Sequence, residues 1–594
     1  MNRYIKNSID IENIDKLPSY PIPSLKDTLE KYLEWVAPLT GDVELQTAKE
    51  SVNDFLAAED SDKLEQKLIE LGSRPNDSWI FDYWVKSHLE VRAPLSPHTN
   101  VPIIYENESI AAYSQLQQIS ILCHAISKVY LDFRQQGPKK YRLNKKEYSS
   151  DQMTGLFAAI NHIKAGIDEY YINPDISDFI VFNYKNNLFK VKTIENENVI
   201  SASRVYEALS KIVNSTSVTA MPNANYVTVG VDRNKAGKIL SEILENGNNE
   251  KSYAHIKDSI FVFNLDDIDS NSMVENLNNA TYDSNAVNRW HGKALQFSCS
   301  KNGVFSFIAD HCFVDGGTEL LMINKVKDVI ESTLFTFEAN EVPCEYDEIQ
   351  FQITDAISQE LMEMKTEFDA CMQSFKTRVV NFERLNRTIL KENGVLSGDG
   401  FIHMAFQAAQ YMTYGDVFNT YISVDARTYF RGRTECNRPV SKESISLSKA
   451  ITEGTMSRKE FDVLLHAALN EHHRRTKICQ SGVGVNRYLY VLEEVYKEFR
   501  DELAIECQPS LFKTEAYKII GNNRLSTTSF THENMKYLYF PPVVENGLGI
   551  YYLVNDESFA IITAFNDFED DLERFISNLE YSISYMLKML VDGC

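Results

Sequence analysis

Residues 294–317 read ALQFSCSKNGVFSFIADHCFVDGG, and the fold class is decided here. Ala294 to Cys299 and Val304 to Ala309 are apolar-rich runs, and Ser300-Lys301-Asn302-Gly303 between them carries an Asn-Gly reversal signal. The spacing predicts an antiparallel hairpin. Its second strand runs into His311-Cys312-Phe313-Val314-Asp315-Gly316-Gly317, so an imidazole falls on a loop at a strand end with a carboxylate shortly after it. A neutral imidazole so placed can take the proton of a hydroxyl or thiol as it attacks a thioester. A partly buried histidine beside an ordinary Asp-Gly turn would read the same way, so the surrounding chain has to decide.

Working outward, strands alternate with helices on both sides of this hairpin. Asp178 to Tyr184 and Leu188 to Val191 form a second predicted hairpin, Tyr226 to Val231 and Ile260 to Leu265 read as strands, and Ala236 to Asn246 reads as a helix. Upstream, Leu17-Pro18-Ser19-Tyr20-Pro21-Ile22-Pro23 is an extended entry to a helix with Leu29, Tyr32, Leu33 and Val36 at helical spacing. Helical patterns continue through Ala48 to Leu71 and Trp79 to Arg92, and Asn100 to Tyr105 is a short extended segment. Downstream, long helices are expected from Asp347 to Lys391 and from Asp399 to Tyr414, with further helices over Ser457 to Arg475 and Gly484 to Leu503. Gly549 to Val554 and Phe559 to Ala564 read as paired strands. The expected architecture is α/β with two comparable mixed-sheet units and joins near residues 91 and 350.

Composition sets the limits. A chain of 594 residues exceeds what one hydrophobic core serves, so two large domains are expected. A formal net charge of −24 disfavours nucleic acid and anionic membrane surfaces as partners. An anionic ligand would need a local basic site. Nine cysteines without a CxxC pair fit reduced thiols better than a disulfide framework or a metal site. The first fifteen residues lack an apolar signal core, no run has the length of a membrane span, and the terminal Val-Asp-Gly-Cys is not a peroxisomal address. A soluble, cytoplasmic protein is expected.

Several ordered segments then resemble the choline/carnitine acyltransferase family. They are the Pro-rich entry with Thr28, Leu29, Tyr32 and Leu33; Asn288-Arg289-Trp290 with Lys293, Leu295, Gln296 and Phe297; and the His311 to Gly316 segment. Gly432-Arg433-Thr434-Glu435, Ser526-Thr527-Thr528 and Gly547-Leu548-Gly549 are similar to the family's GRTE, STS and GYG segments. The resemblance runs almost end to end. It implies two chloramphenicol-acetyltransferase-like domains, mixed sheets flanked by helices, and an active-site tunnel at their interface. The domains expected are 1–90 plus 350–594, and 91–349 carrying the histidine.

The resemblance also assigns roles. His311 matches the catalytic base, and Asp315 takes an orienting role or a structural ion pair with an arginine such as Arg433. Ser526 and Thr528 match the first and third STS hydroxyls, the third being the oxyanion donor, although Ser529 leaves open which hydroxyl does that work. Tyr421, Thr434 and Arg487 fall where carnitine enzymes hold the substrate carboxylate. Gly484 to Leu489 departs from the family's DRHL motif at Asn486 and Tyr488. Arg387 and Lys391, four residues apart, with Asp399 and Ser423, are the coenzyme A candidates, and Ile422 replaces the Glu of the family's TYES. Leu538 falls at the position that sets acyl length, where a bulky side chain keeps the pocket short.

The function so implied is transfer of a short acyl group between coenzyme A, a co-substrate rather than a resident cofactor, and the hydroxyl of carnitine or a carnitine-like alcohol. The alternatives are a relative that uses an acyl carrier protein donor or another hydroxyl acceptor, and a catalytically silent binding protein on the same fold.

Overall fold

The computed structural model describes residues 4–7, 17–74, 78–143, 145–218, 222–282, 287–338, 341–565 and 569–591. Most of the polar N-terminal stretch and the last three residues lie outside these. The chain divides into two compact units. The first comprises 1–17, 84–374 and 531–540, and the second 18–83, 375–530 and 541–594. This differs from the expected partition, which put 1–90 and everything after 349 together. The 531–540 segment, carrying Leu538, belongs with the first unit.

The first unit is built on an eight-stranded mixed sheet. Its order is Tyr346–Ile349, Asn187–Lys192, Phe179–Tyr184, Val262–Leu265, Leu295–Cys299, Phe305–Asp310, Asn100–Tyr105 and Met535–Leu538. Val262–Leu265 pairs parallel with both neighbours, and the remaining pairs are antiparallel. The predicted hairpin is present with Leu295 opposite Ala309 and Cys299 opposite Phe305. Its turn needs Gly303, whose φ of +89° is open to glycine and costly for most residues. Beside it, Arg289 forks onto both Asp266 oxygens at 2.7 and 2.8 Å, and Asn288 donates to the same carboxylate at 3.0 Å. The Asn-Arg-Trp segment is thus a buried strut for the strand that follows. Lys293 donates to the Ser259 and Lys257 carbonyls at 2.6 and 3.0 Å, and burial pushes its amine down to about 7.

The second unit carries a six-stranded sheet in the order Phe375–Asn381, Phe559–Phe565, Leu548–Leu553, Leu525–Thr528, Thr420–Asp425, Thr434–Asn437. Helix Gly398–Tyr414 packs against the helices Lys442–Glu453 and Glu569–Val591. Its buried Phe401, Ala405 and Phe406 share a core with Leu525, Leu548, Ile550, Ala560 and Ile562 of the sheet. Since side chains alternate along a strand, Ser526, Thr528 and Gly549 belong to the opposite face. One sheet face is therefore core, and the Ser526 and Thr528 hydroxyls lie on the other.

Three sequence expectations fail locally. Tyr226 to Val231 is not a strand: Ala224–Val229 is a 3₁₀ helix, fixed by Asn223 capping Ala224 and by Asn225 donating to the Val287 and Arg289 carbonyls. The span Asp347 to Lys391 is not one helix. It contains the strand Tyr346–Ile349, the helix Asp355–Ser374, the strand Phe375–Asn381 and the short helix Arg387–Glu392. Thr377, Val379 and Val380 are β-branched and find partners in Thr563, Ile561 and Ala560, so sheet pairing overrides the local helical pattern. Ala48 to Leu71 breaks at Ala58 into two helices.

Among the described residues, no helix is long and apolar enough to cross a membrane, and no group of His, Cys, Asp and Glu could hold a metal ion. The eight described cysteines are free thiols.

Candidate active site

His311 follows directly on Phe305–Asp310, and its amide donates to the Thr99 carbonyl at 2.7 Å, which prolongs the strand ladder by one bond. Its side chain is 39% exposed, whereas that of Asp315 is 4% exposed. Nδ1 of His311 lies 2.7 Å from the Val314 carbonyl oxygen. A carbonyl only accepts, so Nδ1 carries the proton and Nε2 presents its lone pair. The Asp315 carboxylate is 3.9 Å from Nδ1 and accepts from Gln152 Nε2 at 3.0 Å. Gln152 in turn accepts from the Asp315 amide at 2.9 Å and the Thr318 hydroxyl at 2.8 Å. Asp315 thus fixes the loop that holds the imidazole.

Two neighbours of His311 were not legible from spacing. The His88 ring meets the His311 ring edge-on, with centroids 5.2 Å apart, while its own Nδ1 donates to the Trp84 carbonyl at 2.9 Å. Asp310 is buried, accepts from Asn100 at 2.9 Å and from the Cys312 amide at 3.0 Å, and burial pushes its carboxyl up to about 6.

Leu538 is also in this unit. It is buried and sits opposite Ile103, which on its other side pairs with Phe307 of the histidine strand. Leu538, Ile103 and Phe307 therefore form a row across three adjacent strands.

The second unit gathers the remaining positions. Parallel pairing sets Tyr421 beside Ser526, and two residues further along each strand the Ser423 and Thr528 hydroxyl oxygens are 3.4 Å apart. Four predicted residues thus share the sheet face opposite the core helix. Thr527 points the other way, donating to the Tyr421 carbonyl at 2.7 Å. Ile422 pairs with Thr527 and lies on that same far face.

Arg487 completes this cluster. It is the second residue of helix Asn486–Phe499 and is 9% exposed. Its Nε donates to the Thr434 carbonyl at 2.9 Å, and its Nη2 reaches the Tyr421 hydroxyl at 3.2 Å and the Thr434 hydroxyl at 3.3 Å. Glu435 is buried and accepts from its own neighbour Cys436 at 2.8 Å and from the Arg487 amide. Burial pushes its carboxyl up, while Arg487 and Lys31 pull it back. Glycines make this approach possible: a Cβ on Gly484 would collide with the Glu435 side chain, and one on Gly432 with the Ala426 carbonyl. A guanidinium, a phenol and a threonine hydroxyl thus converge as a donor set suited to a carboxylate.

Asn486 and Tyr488 do not join that set. Asn486 bridges Arg438 and the Ile520 carbonyl, and Tyr488 is buried against Trp79. The coenzyme candidates are placed separately. Arg387 and Lys391 are exposed on the short helix Arg387–Glu392. Asp399, in the first turn of Gly398–Tyr414, accepts from His472 at 2.8 Å and from the Tyr552 hydroxyl.

The Choline/Carnitine o-acyltransferase sequence model matches residues 20–581. The "Putative acetyltransferase" of Mycoplasma pneumoniae is 28% identical over 591 residues, covering 97% of this chain and 95% of that protein. Carnitine O-acetyltransferase of Homo sapiens is 24% identical over 564 residues, covering 91% and 87%. Mitochondrial carnitine O-palmitoyltransferase 2 of Bos taurus is 24% identical over 596 residues, covering 93% and 89%.

Proposed function

The chain belongs to the choline/carnitine O-acyltransferase family, and from that premise we propose that it moves a short acyl group between coenzyme A and carnitine or a carnitine-like alcohol. The observation that carries this reading is the convergence of Arg487, Tyr421 and Thr434. An alcohol without a carboxylate has no use for a buried guanidinium framed by two hydroxyls.

His311 is the base. With Nδ1–H held by the Val314 carbonyl, Nε2 takes the proton of the acceptor hydroxyl as its oxygen attacks the thioester carbon. The tetrahedral intermediate places a negative charge on the former carbonyl oxygen. A hydroxyl of the Ser526–Thr528 row donates to it, a contact typically worth about 2.7–4 kcal/mol in the transition state. The carbon–sulfur bond then breaks, and the imidazolium returns its proton to the departing thiolate. Arg387 and Lys391 meet the coenzyme's phosphates, with Asp399 and Ser423 further along it. Leu538 closes the acyl pocket to long chains; since relatives named for both acetyl and palmitoyl transfer match this chain, acyl length rests on that residue and not on the family.

The test is release of free thiol from acetyl-coenzyme A in the presence of carnitine, choline or no alcohol. Carnitine-dependent release exceeding that with choline is expected. Equal release with both, or none above the alcohol-free rate, would overturn the reading.

A further inference from the structure

Arg438 lies beside the Arg487 cluster and has no role in the reaction above. It is 2% exposed, and its guanidinium carbon is 6.0 Å from the centre of the Tyr421 ring, where that of Arg487 is 5.8 Å away. Two buried cations therefore border one phenol ring. Arg438 donates to Asn486 Oδ1 at 2.9 Å, to Asn523 Oδ1 at 2.6 Å and to the Thr420 carbonyl at 3.4 Å. Every one of these acceptors is neutral. A buried guanidinium ordinarily has a carboxylate against it, because hydrogen bonds alone leave its charge uncompensated.

Position 486 is where a compensating charge would sit. Asn486 opens the Asn486-Arg487-Tyr488-Leu489 segment, and its Oδ1 is the atom that receives the Arg438 Nε–H. The charged group that faces Arg438 is Arg487, whose amide donates to Glu435. Arg475 is taken by Glu471 at 2.7 Å. Among the described residues no carboxylate is paired with Arg438.

We propose that Arg438 is a second cation of the carboxylate subsite, left uncompensated by Asn486, and that this pair sets how strongly the subsite selects an anionic over a neutral acceptor. Arg438 acts through space and through the Tyr421 ring, so it is a specificity residue and touches no reacting atom. The inference rests on the assignment of Arg487, Tyr421 and Thr434 to an acceptor's anionic group, though not on that acceptor being carnitine.

The test is Asn486→Asp, which keeps the hydrogen bond from Arg438 and adds the missing charge. Binding of 3-hydroxybutyrate is measured by calorimetry on the full chain, with 1,3-butanediol as the uncharged counterpart. The substitution should weaken 3-hydroxybutyrate by roughly tenfold, as expected for one charge at about 10 Å in a partly desolvated site, and leave the diol unchanged. Arg438→Gln should act in the same direction. If carnitine is turned over, its KM should rise in Asn486→Asp with kcat and the KM for acetyl-coenzyme A nearly constant. Equal affinities of wild type and Asn486→Asp for the anion, or no preference of the wild type for anion over diol, would overturn the proposal. If the wild type is inactive with carnitine, weaker anion binding in Asn486→Asp would still sustain the proposal while removing carnitine as the acceptor.

Discussion

A histidine becomes a base when one ring nitrogen is held and the other is left to accept. The Nδ1 of His311 is held by the Val314 carbonyl three residues on, a contact the sequence contains but does not announce. The resemblance gives Asp315 an orienting or structural role, and its carboxylate accepts from Gln152, 163 residues away. No local pattern points to Gln152, because a partner at that separation exists only once the sheet has formed. His311→Ala should lower turnover by the roughly 10²- to 10⁴-fold typical of general-base catalysis, with the thermal midpoint near that of wild type. Steady-state rates and melting curves on the same preparation check this. A fall in midpoint with turnover per folded molecule retained would make His311 a structural residue.

At the scale of elements, what was legible is what repeats locally. The hairpin around Gly303, the paired strands Leu548–Leu553 and Phe559–Phe565, and helix Gly398–Tyr414 all follow their periodicity. What was hidden depends on distant partners: Phe375–Asn381 becomes a strand by pairing with Phe559–Phe565, and Met535–Leu538 extends the first unit's sheet. Two predictions belong here. Leu538→Gly should shift preference from acetyl toward octanoyl donors and cost about 2–5 kcal/mol of stability as a buried truncation. Competition between the two donors reads it, and an unchanged preference in a folded variant would move the acyl pocket elsewhere. The second concerns Lys293, at the foot of the hairpin. Its amine is held near 7 by burial, with Asp258 offsetting only part, whereas an unfolded lysine titrates near 10.4. Above pH 7 the unfolded chain therefore holds more protons at this site than the folded one, and stability rises with pH through that window. Lys293→Met removes the site. Between pH 7 and 9 the stability of wild type relative to Lys293→Met should rise by about 2 kcal/mol, and parallel pH profiles in melting experiments would contradict it.

At the scale of the whole molecule, the candidate groups divide between the two units. The imidazole lies on the first unit, and the guanidinium with its two hydroxyls lies on the second. Two mixed-sheet units could be read from the alternation of strands and helices, but not the path of the chain through them, since contacts formed on folding, not local spacing, assign 531–540 to the first unit. The central claim is that both sets of groups serve one carboxylate-bearing alcohol. The most direct measurement is the ratio of kcat/KM for carnitine to that for choline, in wild type and in Arg487→Asn. A charge-assisted contact of about 1.5–3 kcal/mol predicts a carnitine KM higher by one to two orders of magnitude in the variant, with choline little changed and the ratio falling accordingly. Equal losses for the two alcohols, or a wild type without activity on carnitine, would contradict the account.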